Sequence, residues 1–296
     1  MTTIPNIKLY NGVEMPQMSL GFAFWVPEKG GLKCNKEFIG FMPEQVYRSL
    51  NVALEKGIRG IDTALIYRSH VQIRQVLGDL FAEGKLKRED VFIATKVYHP
   101  YNPLATSGTC VGNPDDLSPE EAAKMVEAHI EKSLEELGVG YLDLLYYEMG
   151  WLRAIGVSNW SEHHIEQLMK DGAKHKPMVN QIEGNIYLQW KDIVKYCQDN
   201  DIALEAFSPL GHGGKMLHDE EVIQIAKKHN KDVGQVAMRY LVQKGYAVTF
   251  ATTSEKRVAS NQLIFDFELD EEDLTTLDSK NANSSPTGQP SPYDMS

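Results

Sequence analysis

Apolar residues recur along this chain in two alternating rhythms. Short apolar runs closed by polar residues predict buried strands, and longer stretches with a period near 3.6 predict helices. After a hairpin signalled by the Asn-Gly turn in Leu9-Tyr10-Asn11-Gly12-Val13, strands are predicted at 16–25, up to Asp62, and at 91–96, 141–147, 152–157, 178–182, 202–207 and 246–251. Helices are predicted at 43–56, from Ile73 to a stop at Gly84, from Ser118 to about Leu137, and at 161–170, 190–198, 219–229 and 233–244. Two more begin near Glu255 and Asp270. Strand and helix alternate, the signature of a parallel α/β protein. Polar residues close several of the eight strand candidates, which favours a closed TIM (β/α)8-type barrel. A doubly wound sheet fits less well, since no GxGxxG follows the first strand.

One interruption breaks the rhythm. Between the strands predicted at 141–147 and 152–157 stand only Glu148-Met149-Gly150-Trp151. A parallel crossover takes a dozen residues or more, and four extended residues reach only about 14 Å. The crossover and helix between barrel strands 4 and 5 are therefore missing. The expectation is that one strand is displaced or remodelled, or that the barrel is open there. A bared apolar face predicts low stability, aggregation or a further partner.

Composition narrows the partners. A net charge of −11 and a pI near 5.3 argue against nucleic acid and anionic membrane, which need basic surface. A local positive patch would still suffice for a phosphate-bearing cofactor. Cys34, Cys110 and Cys197 are widely spaced and form no ligand pattern, which predicts a reduced protein without structural zinc. The first residues carry no signal-peptide pattern, and no run approaches the roughly 20 apolar residues of a membrane span. A cytoplasmic monomer is expected. Residues 1–280 read as one barrel domain, and 281–296, rich in proline and serine, as a tail without fixed structure.

Candidate chemistry sits at two neighbouring strand ends. Asp62 and Tyr67 follow one, and Lys96 closes the next. Brought together at a barrel mouth, they make a phenol whose acidity a cation raises, poised to hand over a proton. Taken singly, Asp62-Thr63-Ala64 reads equally as a helix cap, and Lys96 as an ordinary strand-terminal lysine.

The motifs Asn11-Gly12-Val13-Glu14-Met15-Pro16, Gly60-Ile61-Asp62-Thr63-Ala64 with Tyr67, and Ala94-Thr95-Lys96 come in an order that resembles the aldo-keto reductases. The likeness continues through Leu134-Glu135-Glu136-Leu137-Gly138, Tyr141-Leu142-Asp143-Leu144-Leu145 and Ile155-Gly156-Val157-Ser158-Asn159. Phe207-Ser208-Pro209-Leu210-Gly211 and Phe265-Asp266-Phe267-Glu268-Leu269 complete it. The resemblance implies a TIM barrel that reduces a small-molecule carbonyl substrate, an aldehyde or ketone, with NADPH. It makes Tyr67 the proton donor, Lys96 its cationic neighbour and Asp62 the partner of that lysine. Gly21, Phe22, Ala23 and Asp62 fall at the implied cofactor site. Ser158, Asn159 and Gln181 would bind the carboxamide, and Phe207 would stack on the nicotinamide. Ser208, Leu210 and Gly211 would lie over the pyrophosphate, with Arg257 and Asn261 at the 2′-phosphate. By themselves, Ser158 and Asn159 read as a strand-to-helix cap and Phe207 as a core aromatic.

The chain departs from the family pattern in two ways besides the short crossover. Ala251 stands where a phosphate-binding lysine is usual, which leaves NADH as an alternative cofactor. Glu148 stands where a catalytic histidine is usual. A glutamate donates to a carbonyl only when protonated; the family's steroid double-bond reductases carry a glutamate here, so the change need not abolish function, and the alternative is a plain loop residue. Rival readings are a nicotinamide-nucleotide-binding protein without turnover and an inactive shortened product. Loops 28–40 and 99–116, with Trp25, Tyr98 and Trp151, are candidates to shape the substrate pocket.

Overall fold

A computed structural model describes residues 3–23, 42–97, 118–146, 152–211 and 215–282. Glu148, Trp25, Tyr98, Trp151, loops 28–40 and 99–116 and the tail beyond Ala282 lie outside them. The chain opens with β1 (Asn6–Lys8) paired antiparallel to β2 (Glu14–Pro16). Their turn places Gly12 at φ +88°, a conformation that favours glycine. Strand β3 (Met18–Gly21) and helix α1 (Pro43–Glu55) follow. Then come β4 (Gly60–Asp62), α2 (His70–Ala82), β5 (Phe92–Lys96), α3 (Pro119–Leu137) and β6 (Leu142–Tyr146). The second half runs β7 (Leu152–Ser158), α4 (Glu162–Lys170), β8 (Val179–Glu183), α5 (Lys191–Asp199) and β9 (Ala203–Phe207). It ends with α6 (Glu220–Lys228), α7 (Val233–Gln243), β10 (Tyr246–Phe250), α8 (Glu255–Asn261) and α9 (Glu271–Asp278).

Strands β3 to β10 form a closed barrel in the order β10-β3-β4-β5-β6-β7-β8-β9, each pair parallel. Local chemistry starts and stops the helices where the pattern predicts. Ser118 and Glu121 make a reciprocal cap at α3, with Pro119 at its first position, and Gly138 ends it in the left-handed conformation. One apolar cluster fills the space between strands and helices, including Ile61, Ile93, Leu145, Ile182, Val236 and Met238. A second joins the barrel residues Phe92, Ala94, Leu144, Ala154, Val179 and Ala247 to Leu9 and Met15 of the hairpin segment. The hairpin thus closes the end of the barrel from which the strands start. Asn281 and Ala282 hydrogen-bond back to Gln189 and Tyr187.

The barrel is closed at the short crossover, which corrects the expectation that it is open there. β6 and β7 pair in parallel, from Leu142 beside Leu152 to Leu145 beside Ile155. The described part of β6 ends at Tyr146 and that of β7 begins at Leu152, with residues 147–151 between them in the chain. The six Cα steps from Tyr146 to Leu152 reach about 20 Å, and returning to the level of Leu142 while stepping one strand sideways takes about 14 Å. The buried Asp143 then ties the seam. It accepts hydrogen bonds from Arg153 of β7 at 2.5 Å, from Arg88 at 2.7 Å and from the backbone of Ile93 at 2.9 Å. Asn11 of the hairpin turn adds a bond to the Arg153 carbonyl. The outer face of β7 is only partly covered: Ile155 and Val157 stay partly exposed, whereas β8 is buried throughout.

Candidate active site

β4, too short to bury more than three residues, delivers Asp62 at its last position. The chain then bends through Thr63 and Ala64 into a 3-10 turn, Leu65–Tyr67, which ends with Arg68 at φ 57°. Asp62 caps no helix. The cap position of α2 is Ser69, whose hydroxyl pairs with Thr63 at 2.8 Å, and Asp62 is free to face the barrel interior. Lys96, last in β5, donates to both Asp62 oxygens, at 2.8 and 2.7 Å, and to the Thr63 carbonyl at 3.1 Å. Its Nζ lies 5.3 Å from the ring centre of Tyr67 and 5.4 Å from that of Tyr146. The three residues singled out from the sequence are therefore in mutual reach. Asp62 is no helix cap, and Lys96 is paired with it across adjacent strands.

The polar network extends deeper than the sequence reading foresaw. Gln181 of β8 donates from one amide nitrogen to Asp62 at 2.8 Å and to Glu205 of β9 at 2.7 Å. The Tyr146 hydroxyl also donates to Glu205, at 2.5 Å. Neither Glu205 nor Tyr146 was among the expected site residues. A signal for both existed. Glu205 shares strand parity with Phe207 in an otherwise apolar run, and Tyr146 shares it with Leu142 and Leu144.

Electrostatics corrects one expectation. Lys96 does pull the Tyr67 phenol toward release, but burial opposes it more strongly and the Asp62 charge adds to the opposition. The net effect holds Tyr67 above the ordinary tyrosine value, so the phenol keeps its proton. Burial also works against the Lys96 ammonium, yet Asp62, Tyr67 and Glu205 together raise it above the ordinary lysine value. It stays a cation. Burial, followed by the charge of Asp62, pushes the Glu205 carboxyl up to about 7. Tyr146 is driven well above the usual range by burial and by Glu205.

Around this centre the strand ends form a rim. Gly21 pairs with Asp62, the Phe22 amide donates to the Asp62 carbonyl, and Ala23 follows half-buried. Ser158 and Asn159 meet the Gln181 carbonyl, the first through its hydroxyl at 3.1 Å and the second through its backbone N–H at 2.8 Å. They do not cap α4, whose cap position is Ser161. Asn159 sits at φ 59° and accepts from the Glu183 amide. Phe207, paired with Glu183, is half-buried at the end of β9. Ser208 turns at φ 50° and its carbonyl accepts from Gly211, while Leu210 packs near Gly234 at the start of α7. Arg257 is exposed and Asn261 buried, one turn apart on α8.

Comparison with known proteins agrees with this geometry. A family model described as the aldo/keto reductase family matches residues 30–149 and 147–282, two stretches that meet at the short crossover. A glyoxal reductase of Bacillus subtilis is 36% identical over 93% of this chain and 92% of its own length. Aldo-keto reductase family 1 member C15 of Rattus norvegicus is 30% identical over 94% and 91%. A crystal structure of a silkworm (Bombyx mori) aldo-keto reductase superposes with a TM-score of 0.81 at 30% identity, covering 97% of this chain and 90% of that one. The silkworm enzyme complexed with NADPH gives 0.78 at 29%. On fold, motif order and relatives together, the chain belongs to the aldo/keto reductase family.

Proposed function

We propose that this protein reduces an aldehyde or ketone to an alcohol using NADPH, with NADH as the alternative, and that Tyr67 donates the proton. The observation that carries the reading is the Lys96 ammonium, anchored by two bonds to Asp62 and lying 5.3 Å from the Tyr67 ring centre. Burial keeps the proton on Tyr67 until a carbonyl oxygen begins to take negative charge. Lys96 then stabilises the phenolate left behind, and Asp62 fixes the ammonium in place. Bound NADPH would supply the hydride.

The rim suits such a cofactor. Thr249 Oγ1, buried and without a hydrogen-bond partner among the described residues, is 3.4 Å from where a Cβ on Gly21 would stand. Glycine there keeps one wall of the mouth clear. Ser158, Asn159 and Phe207 would hold the nicotinamide end, and Ser208, Leu210 and Gly211 the pyrophosphate. Arg257 would meet a 2′-phosphate by paired hydrogen bonds, with Asn261 one turn away. The named activity of the Bacillus relative makes glyoxal and other small aldehydes the first substrates to try.

The test follows NADPH absorbance with these aldehydes, with cofactor binding measured in parallel by fluorescence. Turnover is expected, and Tyr67→Phe is expected to lower kcat by about 10²–10⁴-fold while NADPH still binds. Binding without turnover in the wild type would make the protein a nucleotide binder. Neither binding nor turnover would mark an inactive shortened product.

A further inference from the structure

Glu205 has no part in the mechanism above, yet it is buried beneath it, 2% exposed. Its direct partners are neutral: the Tyr146 hydroxyl at 2.5 Å and the Gln181 amide at 2.7 Å. The same amide nitrogen contacts Asp62, so an unbroken hydrogen-bonded path runs Tyr146–Glu205–Gln181–Asp62–Lys96. Two carboxyl groups and one ammonium occupy a single buried network, and Asp62 takes both of the ammonium's carboxylate contacts. A second buried anion with no direct cation is costly and is relieved by taking up a proton. The titratable groups facing Glu205 are Asp62 on β4, Tyr67 in the turn after it, Lys96 on β5 and Tyr146 on β6. Glu183, on β8, lies one step nearer the mouth, paired with Phe207. The inward positions of β7 and β10 nearby are Gly156, Ser158, Ala247 and Thr249, none titratable.

We propose that Glu205 is a positioning residue for proton transfer: cradled by Tyr146 and Gln181, it binds and releases a proton of its own and thereby sets how readily Tyr67 gives one up. The proton comes from water and returns to it. When the carboxyl is neutral, the field of Lys96 at Tyr67 is opposed by Asp62 alone. When it ionises, a second negative charge makes the phenol a weaker acid and carbonyl reduction slows. The burial that lifts this carboxyl to about 7 places the change near neutral pH.

This inference rests on the reductase reading, and its test has one arm that does not. In the first arm, aldehyde reduction by the full chain is followed from pH 5.5 to 9. The wild-type kcat is expected to fall by about fivefold through an inflection near pH 7, the size that one buried charge at intermediate effective dielectric implies for a partial proton transfer. Glu205→Gln should erase the inflection and hold kcat at pH 8.5 near the wild-type value at pH 5.5. Tyr146→Phe should move the inflection to higher pH, because the anion loses a donor; it also covers the case in which Glu205→Gln does not fold. An unchanged KM for the aldehyde separates this role from substrate binding. An inflection that survives Glu205→Gln overturns the proposal.

In the second arm, tyrosinate absorbance is titrated without substrate, and the Tyr67→Phe trace is subtracted to isolate Tyr67. Glu205→Gln should lower the alkaline transition of that phenol, and an unmoved transition overturns the coupling. Lack of turnover in the wild type would count against the reductase reading, and this second arm would still decide the role of Glu205.

Discussion

Two neighbouring strand pairs in this barrel solve the same problem differently. β8 and β9 pair at five positions, from Val179 beside Ala203 to Glu183 beside Phe207, and are linked through α5, whose Ile193 and Cys197 are wholly buried. β6 and β7 also pair in parallel, but at most residues 147–151 stand between them. A crossover helix therefore has two separable tasks, bringing the chain back and covering the outside of the sheet. A short link manages the first. The second is only partly met at β7, and polar anchors reach it: Arg153 bonds Asp143, which Arg88 holds from the β5 side, and Asn11 bonds the Arg153 carbonyl.

If that contrast is right, the seam without a helix depends on charge and the covered one on packing. Asp143→Ala should have the largest effect, about 4 kcal/mol in urea unfolding, because it strands the mostly buried Arg88 and an Ile93 amide. Hydrogen exchange should then rise first in residues 152–158. Ile193→Ala should cost about 3 kcal/mol by leaving a cavity under α5, with exchange rising in β8 and β9 instead. Should the exchange patterns of these two variants coincide, the contrast is lost. Arg153→Met should cost only about 1 kcal/mol, since its side chain is 46% exposed and Arg88 still holds Asp143.

Most of the barrel was legible because several strands announce themselves twice, by an apolar run and by the polar residue that stops it. Asp62 and Lys96 are such stops, and their meeting follows from adjacent strands in register. The parallel pairing of β6 with β7 was not legible, because no local pattern announces two strands in register across so short a link. Gln181 was expected only at a cofactor, whereas its amide spans two carboxylates, one of them 119 positions away in the chain. Strand order, not local pattern, creates that contact. The net state of Tyr67 was also out of reach: the sequence names the charges nearby, while the loss of water that outweighs Lys96 exists only once the barrel closes.

Gln181 carries a mechanical corollary. β8 and β4 stand four places apart in a ring of eight, so its bond to Asp62 crosses the full diameter of the lumen. Tyr146, reaching from β6 to Glu205 on β9, makes a second strut at another angle. The staves on either side of β7 are thus braced from within, so the groups proposed to govern proton release also help keep the cylinder round.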